Sequence, residues 1–167
     1  MTKAAAMTAT DRELENELEV NIERLIDAPR AVVWRAFAEP GQVEQWWGPA
    51  GFTTTTHSRD FRTGGEWIFT MHGPDGRDYE NHVIFDEIME GERVAYRHSG
   101  GDEADPISFR AELNLFTQGS GTLVRLRSRF PTREARDYVI REFGALEGGR
   151  QTLIRLEARA IELAKAG

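Results

Sequence analysis

The sequence predicts an α+β domain in which a meander of antiparallel strands is followed by one long C-terminal helix. Three observations support this prediction. In several stretches between Leu18 and Phe130, apolar residues alternate with polar ones, which is the period of a half-buried strand. Short turn sequences rich in glycine separate successive stretches, so neighbouring strands pair antiparallel. From Arg133 onward the apolar residues recur at helical spacing instead.

The chain of 167 residues is most simply one domain, which we place at residues 15–167. No linker-like segment divides it. Residues 1–14 are expected to form a flexible N-terminal tail, because the first ten are small or polar and lack the charged-then-apolar order of a secretory signal.

Composition narrows the classes of partner. A formal net charge of −7 disfavours nonspecific binding to nucleic acid or to an anionic membrane, and no apolar run is long enough to span a bilayer. The chain has no cysteine, which excludes disulfides and thiolate chemistry and fits a reducing compartment. We therefore expect a cytoplasmic protein without nucleic-acid or membrane partners.

The first strand is predicted at residues 16–26, where every second residue is apolar in the sequence from Leu18 to Ile22. Two short helices follow. Pro29 suits the first turn of a helix, whose apolar stripe comprises Val33, Trp34 and Phe37. The second helix is predicted at residues 40–47. Gly48 and Pro49 terminate it. Trp46 and Trp47 lie at this corner, and at least one of their indoles should be buried.

The central hairpin is the most apolar part of the predicted sheet. A threonine-rich strand at residues 52–59 precedes it. Residues 73–76, Gly-Pro-Asp-Gly, supply the turn. The apolar positions of its two strands are Trp67, Phe69, Met71, Val83, Ile84, Phe85 and Ile88.

Three further strands complete the predicted meander. The fifth strand has Val94, Tyr96 and His98 on its apolar side. An acidic loop at residues 100–106 leads to the sixth strand at residues 107–115, and a glycine turn leads to the seventh at residues 122–130. On the seventh strand, the strict alternation of Arg125, Arg127 and Arg129 suits a solvent face better than a binding patch.

A single long helix is predicted from Arg133 to the C-terminus, with a bend near Gly144 or at Gly148 and Gly149. Each glycine inside a helix costs about 1 kcal/mol relative to alanine, so the adjacent pair needs a steric reason. Two reasons are equally open at this point. The pair lets the helix approach the sheet, or it leaves volume for a ligand.

The order of elements resembles the helix-grip fold, also called START-like or Bet v 1-like. Spaced motifs resemble more narrowly the Activator of Hsp90 ATPase homologue 1-like family, a bacterial branch of the SRPBCC superfamily. These motifs are Ile26-Asp27-Ala28-Pro29, Val33-Trp34, Glu39-Pro40, Trp46-Trp47-Gly48-Pro49, Gly64-Gly65 with Trp67, residues 73–76, Glu87-Ile88, residues 93–96 and residues 147–153. The chain departs from the family pattern at His82, where members often have glycine.

The resemblance implies a curved antiparallel sheet wrapped around the long C-terminal helix, with a pocket between them. Strand and helix periodicity then nominates the ligand-binding residues. They are Trp67, Phe69, Met71, Val83, Phe85, Tyr96, His98 and Phe109 from the sheet, and Tyr138, Phe143 and Leu146 from the helix. The alternative is that the large aromatic side chains fill this space as a solid core.

Candidate catalytic groups are few. His98 is the first candidate for proton transfer because it shares the apolar side of its strand with Tyr96, and His82 is the second. His72 should point outward, and His57 lies on a weakly patterned strand. A hydrogen-bonded or exposed imidazole is the simpler interpretation of each. The sequence contains no metal-ligand spacing, nucleophile elbow, phosphate loop or dinucleotide fingerprint, so no metal or cofactor is expected.

Three functions remain open from the sequence. The first is binding of a small apolar or aromatic molecule between sheet and helix. The second is a cyclase or hydrolase using His98 and Tyr96, and the third is the chaperone-associated role that the family name implies. A homodimer through an edge strand, or through the corner at Trp46 and Trp47, is a further expectation.

Overall fold

A computed structural model describes residues 17–99 and 108–166. The predicted N-terminal tail and the acidic loop at residues 100–106 lie outside the described residues. The described chain forms one seven-stranded sheet and three α-helices. The strands are β1 Glu19–Ile26, β2 Thr53–Arg59, β3 Glu66–His72, β4 Asp78–Met89, β5 Arg93–Ser99, β6 Ser108–Gln118 and β7 Gly121–Arg129. The helices are α1 Arg30–Ala38, α2 Arg133–Phe143 and α3 Ala145–Ala166.

The sheet has the strand order β1-β7-β6-β5-β4-β3-β2, and every neighbouring pair is antiparallel. Strands β2 to β7 are therefore a meander, and β1 joins it beside β7. The register shifts between Thr56 and Ser58 and between Phe85 and Glu87. Such bulges bend a strand and increase its twist, and the sheet is curved. The α+β helix-grip prediction is confirmed.

The region after α1 differs from the prediction of a second short helix. Only a 3-10 turn forms, at Val43–Gln45. Gly41 and Gly48 both have positive φ angles, +83° and +98°, and they interrupt helical geometry on either side of the turn. The corner is nevertheless packed, because Trp46 is buried and its Nε1 donates a hydrogen bond to the Ala36 carbonyl at 2.7 Å.

The C-terminal region is two helices rather than one. Gly144 has φ +60° and ψ +43°, which is the left-handed conformation that ends a helix, and its N–H bonds the Ile140 carbonyl. This is one of the two predicted bend sites. At the other, Gly148 and Gly149 lie inside the regular helix α3. A Cβ built on Gly149 would lie 2.8 Å from Cγ1 of Ile22 on β1, so this glycine allows α3 to approach the sheet.

The core lies between the concave face of the sheet and helices α1 and α3. Its largest fully buried side chains are Trp46, Trp67, Phe37, Phe69, Phe85, Ile26, Leu153 and Leu156. On the opposite face, Glu19 is buried beneath Arg127 and Arg129 at 2.7 and 3.0 Å. None of the described helices is long and apolar enough to cross a membrane.

Candidate functional site between the sheet and helix α2

A pocket of about 510 Å³ lies between the concave face of the sheet and α2. Strands β3 to β6 supply one wall, α2 supplies another, and the segment between the 3-10 turn and β2 completes it. The lining residues are Pro49, Phe52, Met71, Arg77, Tyr79, Glu80, Asn81, His98, Phe109, Val139, Glu142 and Phe143. Most of them are apolar or aromatic, which is typical of sites for small organic molecules.

A smaller pocket of about 190 Å³ adjoins the first and reaches towards α3. The two share His98 and Phe109, so these side chains stand where the pockets meet. The other lining residues of the smaller pocket are Trp46, Trp47, Gly48, Tyr96, Leu113, Leu126, Ser128, Thr152 and Leu153. Its lining is more apolar than that of the larger pocket.

Hydrogen bonds fix the orientation of Asn81 and His98, two polar side chains inside the larger pocket. The side-chain amide of Asn81 donates to the carbonyl of Tyr79 at 2.9 Å, which leaves Oδ1 of Asn81 as an acceptor. Oδ1 lies 2.7 Å from Nε2 of His98, so Nε2 carries a proton and donates it to this bond. The imidazole also stacks on the Phe109 ring, with 4.8 Å between the centroids. These contacts set the orientation of His98.

Tyr96 lies in the smaller pocket and is almost fully buried. Burial raises the pKa of its phenol above the ordinary value because the phenolate would be poorly solvated. Tyr96 is therefore an uncharged hydroxyl at neutral pH. It can donate or accept a hydrogen bond, but it is a poor general base.

Charged side chains line the larger pocket at exposed positions. Arg77, Glu80 and Glu142 are all exposed, whereas Asn81 is buried. The Arg77 guanidinium lies 5.0 Å from the centroid of the Tyr79 ring. The pocket therefore combines a mostly apolar interior, one partly buried polar pair and charged side chains at its exposed edge.

Arg155 of α3 fixes the loop that contributes to both pockets. Its guanidinium donates to the carbonyls of Gly48 and Pro49, each at 2.9 Å, and to that of Trp47 at 3.3 Å. Burial lowers the pKa of Arg155. Three consecutive backbone carbonyls therefore bind the Arg155 guanidinium. These bonds connect α3 to the loop that forms part of the pocket wall.

The structure distributes the predicted ligand-binding residues over several environments. Met71, His98, Phe109 and Phe143 line the larger pocket, and Tyr96 lines the smaller one with His98 and Phe109. The other sheet residues lie in the solid core, where their exposure is 1% or less; they are Trp67, Phe69, Val83 and Phe85. On the helices, Tyr138 is exposed and Leu146 packs against the core.

The second catalytic candidate lies on the other face of the sheet. Nε2 of His82 is 2.5 Å from a carboxylate oxygen of Glu66 on the convex side. His57 and His72 share this face and bond Thr70 and Asp78. Among the described residues, no group of three or more histidine, cysteine or acidic side chains is placed to hold a metal ion.

Sequence reasoning missed several lining residues. The sequence does contain an indication for Asn81. It alternates with Val83 and Phe85 on the inward face of β4, where a polar residue is unusual. Tyr79 shares the same parity. Phe52 and Trp47 come from the irregular segment before β2, where no periodicity indicates direction.

Comparison with solved structures gives many matches across nearly the whole chain. A protein from Nitrosomonas europaea is 26% identical, covers 90% of this chain and 98% of its own, and has a TM-score of 0.78. A protein from Arthrobacter aurescens is 25% identical, with 94% and 93% covered and a TM-score of 0.81. A protein from Mycobacterium smegmatis is 25% identical, with 85% and 90% covered and a TM-score of 0.76.

No curated protein matches the chain significantly. A family model does match, over residues 27–160, and its description is Activator of Hsp90 ATPase homolog 1-like protein. The match extends from the end of β1 into α3 and so includes all the described residues of the two pockets. The chain therefore belongs to the Activator of Hsp90 ATPase homolog 1-like family.

Proposed function

We propose that this protein binds a small, largely apolar organic molecule in the pocket between the sheet and α2. The observation that carries the proposal is the hydrogen-bonded Asn81–His98 pair, which lies among mostly apolar and aromatic side chains of the pocket. Small-molecule sites are commonly about 300–1,000 Å³, with an apolar lining and a few polar groups that orient the ligand. The larger pocket, at about 510 Å³, falls within that range.

The chemistry of the lining restricts the ligand further. Phe109, Met71 and Val139 offer apolar contact, and flat aromatic groups pack well against rings and thioethers. Near the polar pair, the ligand would bring one hydrogen-bonding group such as a carbonyl or hydroxyl. The preferred ligand is therefore an aromatic or alicyclic compound with a single polar function.

Native mass spectrometry tests for a ligand retained during purification. We expect a non-covalent adduct that is present in the native mass and absent from the denatured mass. An adduct would identify the chemical class directly. If the native protein carries no adduct, the neutral fluorophore N-phenyl-1-naphthylamine provides the second test.

The fluorophore titration uses two matched variants. Phe143→Ala removes an exposed ring that lines the pocket, and Ile154→Ala removes an exposed apolar side chain of α3 that does not. We expect Phe143→Ala to weaken binding by roughly fivefold, the cost of losing about 1 kcal/mol of apolar contact. Ile154→Ala should bind as the wild type does. Equal binding by all three proteins, or none by the wild type, would refute the proposal.

Proton transfer by His98 is a second candidate, favoured by the fixed orientation of the imidazole in an apolar pocket. Its test requires a ligand with a bond that can be hydrolysed or cyclised. His98→Gln should retain binding and abolish turnover, whereas unchanged turnover in His98→Gln would eliminate this candidate.

A further inference from the structure

The fold alone does not explain the hydroxyl of Tyr96. The side chain is only 5% exposed, and its oxygen forms no hydrogen bond with any described residue. Two other polar groups in the lining of the smaller pocket do have protein partners. Nε1 of Trp46 donates to the Ala36 carbonyl at 2.7 Å, and Oγ1 of Thr152 donates to the Gly148 carbonyl at 2.8 Å. Because a buried donor without a partner destabilises a fold, the Tyr96 hydroxyl indicates that a bound molecule completes this site.

The phenol oxygen of Tyr96 faces the smaller pocket, which has a volume of about 190 Å³. The oxygen is in contact with this open volume and is not sealed between side chains. The strand register explains the space. Ala111 of β6 lies directly opposite Tyr96, and Ser128 of β7 lies directly opposite Ala111 on the same face of the sheet. Since both side chains are small, they leave volume beside the tyrosine ring.

The size and lining of the smaller pocket favour an uncharged ring. An apolar cavity of about 150 Å³ accommodates benzene, so a pocket of about 190 Å³ has room for a ring of that size with a short substituent. The described lining contains no lysine, arginine, aspartate or glutamate. A charged ligand group would lose its hydration here without gaining an opposite charge, and a neutral group is therefore favoured.

The protonation state of Tyr96 determines which group the ligand must supply. Burial raises the pKa of the phenol above its ordinary value, so the hydroxyl keeps its proton at neutral pH and can donate a hydrogen bond. The matching ligand group is a neutral acceptor. A ketone or ester carbonyl accepts this bond and adds no donor of its own, whereas a ligand hydroxyl would bring a donor that needs a second partner.

His98 and Phe109 line both pockets, and their rings stack with 4.8 Å between the centroids. His98 is two residues from Tyr96 on the same strand, β5, so both side chains point to the same face. A carbonyl group at Tyr96 therefore also lies close to the Asn81–His98 pair. A molecule whose body occupies the larger pocket can extend one end past these rings into the smaller pocket.

We propose that the smaller pocket binds a carbonyl group of the ligand, with the Tyr96 hydroxyl donating a hydrogen bond to the carbonyl oxygen and the apolar body of the same molecule lying in the larger pocket. This carbonyl site rests on the proposed function and narrows the ligand to an aromatic or alicyclic ketone or ester. Tyr96 is then a specificity-determining residue, because its hydroxyl distinguishes a carbonyl compound from a hydrocarbon of the same shape.

The test measures two ligands of nearly the same shape in competition with N-phenyl-1-naphthylamine. The first, 2-acetonaphthone, has a methyl ketone on a naphthalene body. The second, 2-isopropenylnaphthalene, has a CH₂ group in place of the carbonyl oxygen. Tyr96→Phe removes only the hydroxyl group. As the control, Tyr138→Phe makes the same change at an exposed tyrosine of α2 that is absent from the described lining of both pockets.

Tyr96→Phe should weaken the binding of 2-acetonaphthone by roughly fivefold and leave that of 2-isopropenylnaphthalene within about twofold of the wild type. Tyr138→Phe should change neither affinity. The carbonyl site is refuted if Tyr96→Phe binds the ketone as the wild type does, since water alone then satisfies the phenol. Equal losses for both ligands, or no displacement of the fluorophore by the ketone, would also refute it. Failure of the proposed function is a different result, because N-phenyl-1-naphthylamine would then not bind the wild type.

Infrared spectroscopy detects the hydrogen bond itself. Accepting a hydrogen bond weakens the C=O bond, so the carbonyl stretching frequency of bound 2-acetonaphthone should be lower in the wild type than in Tyr96→Phe. Equal frequencies in the two proteins would mean that the carbonyl oxygen binds elsewhere.

Thermal unfolding without ligand tests whether the Tyr96 hydroxyl has a partner in the protein. Tyr96→Phe should melt within about 2 °C of the wild type, or above it, because no hydrogen bond within the protein is lost. A clearly lower melting temperature would show that the phenol already has a protein partner, and would contradict its assignment to a ligand.

Discussion

At the scale of single residues, the pocket depends on a few polar side chains that bind backbone atoms. Asn81 orients His98 only because its own amide is held by the Tyr79 carbonyl. Arg155 holds the loop from Trp47 to Pro49 against α3. Hydrophobic periodicity predicts neither contact. It indicates which face of an element is apolar, but not which polar side chain binds which backbone carbonyl.

Replacing Arg155 with methionine keeps the aliphatic stem and removes the charge. We expect this variant to lose about 1–2 kcal/mol in free energy of unfolding, because carbonyls near the pocket lose a charged donor. Arg133→Met serves as the control, since Arg133 is exposed and lies 3.5 Å from Glu17. Urea unfolding measures both variants, and equal losses would contradict the assigned role of Arg155.

The lowered pKa of Glu19 predicts how the free energy of unfolding changes at acidic pH. Desolvation raises its pKa, but hydrogen bonds from Arg127, Asn21 and Arg129 outweigh this effect, and the net pKa lies below the ordinary value. A carboxyl with a lowered folded-state pKa stabilises the fold above its unfolded pKa of about 4.3. This contribution is lost as the pH falls through the folded-state value.

We therefore expect Glu19→Gln to be less stable than the wild type by about 1–2 kcal/mol at pH 7. The difference should shrink as the pH falls below the unfolded pKa of about 4.3, because the unfolded chain then binds a proton at Glu19 more readily than the folded protein does. Urea unfolding at pH 7 and pH 3.5 measures it. A difference that is constant with pH would show that the Glu19 charge does not matter.

The alternation of apolar and polar residues predicted which face of a strand many side chains occupy, but not whether they lie in the core or in a pocket. Trp67, Phe69 and Met71 share one face of β3, yet the first two are buried in the core and only Met71 lines the larger pocket. Alternation reports which side of a strand is inward. Whether that side meets α1, α3 or the pocket depends on tertiary packing that a single strand does not encode.

At the scale of elements, two bulges explain where the patterns weaken. On β4 the inward positions are odd-numbered up to Phe85, and after the register shift Ile88 packs against the core. On β2 the shift after Thr56 brings Arg59 inward, where its guanidinium lies 4.6 Å from the Phe61 centroid and donates to the Phe37 carbonyl. A bulge moves every later side chain to the other face.

The glycine pair of α3 gives a matched test of helix packing. At Gly149 an added Cβ would lie 2.8 Å from Ile22, whereas at Gly148 it would lie 3.4 Å from Pro49, an ordinary contact. We expect Gly149→Ala to destabilise the fold by about 1–3 kcal/mol. Gly148→Ala should be neutral or stabilising by up to about 1 kcal/mol. Thermal unfolding compares the two, and equal effects would contradict the close approach of α3 to β1.

At the scale of the whole molecule, the core and the pocket occupy different parts of the concave face. Helices α1 and α3 cover the core, whereas α2 covers the pocket and has Arg136 as its one buried residue. Its aromatic residues Tyr138 and Phe143 are exposed. Family resemblance and periodicity predicted a sheet packed against a C-terminal helix, with Gly144 as one of two possible bend sites, but not that a helix ends at Gly144 and leaves α2 as a separate element.

This division predicts unequal protection from hydrogen exchange. Amides of α2 should exchange faster than those of α3, because α2 buries little apolar surface. N-phenyl-1-naphthylamine should slow exchange in α2 several-fold and leave α3 unchanged, since the bound probe would pack against α2. Mass spectrometry after deuterium labelling measures both helices. Equal slowing of the two helices would indicate general stabilisation without a site at α2.

The central claim is that a neutral apolar molecule occupies the pocket between the sheet and α2. The most direct measurement is a set of intermolecular NOEs between N-phenyl-1-naphthylamine and the methyl groups of the protein. We predict NOEs to the methyls of Met71 and Val139, which line the pocket. NOEs only to Leu25 and Ile154, which are exposed apolar residues elsewhere on the surface, would contradict the claim.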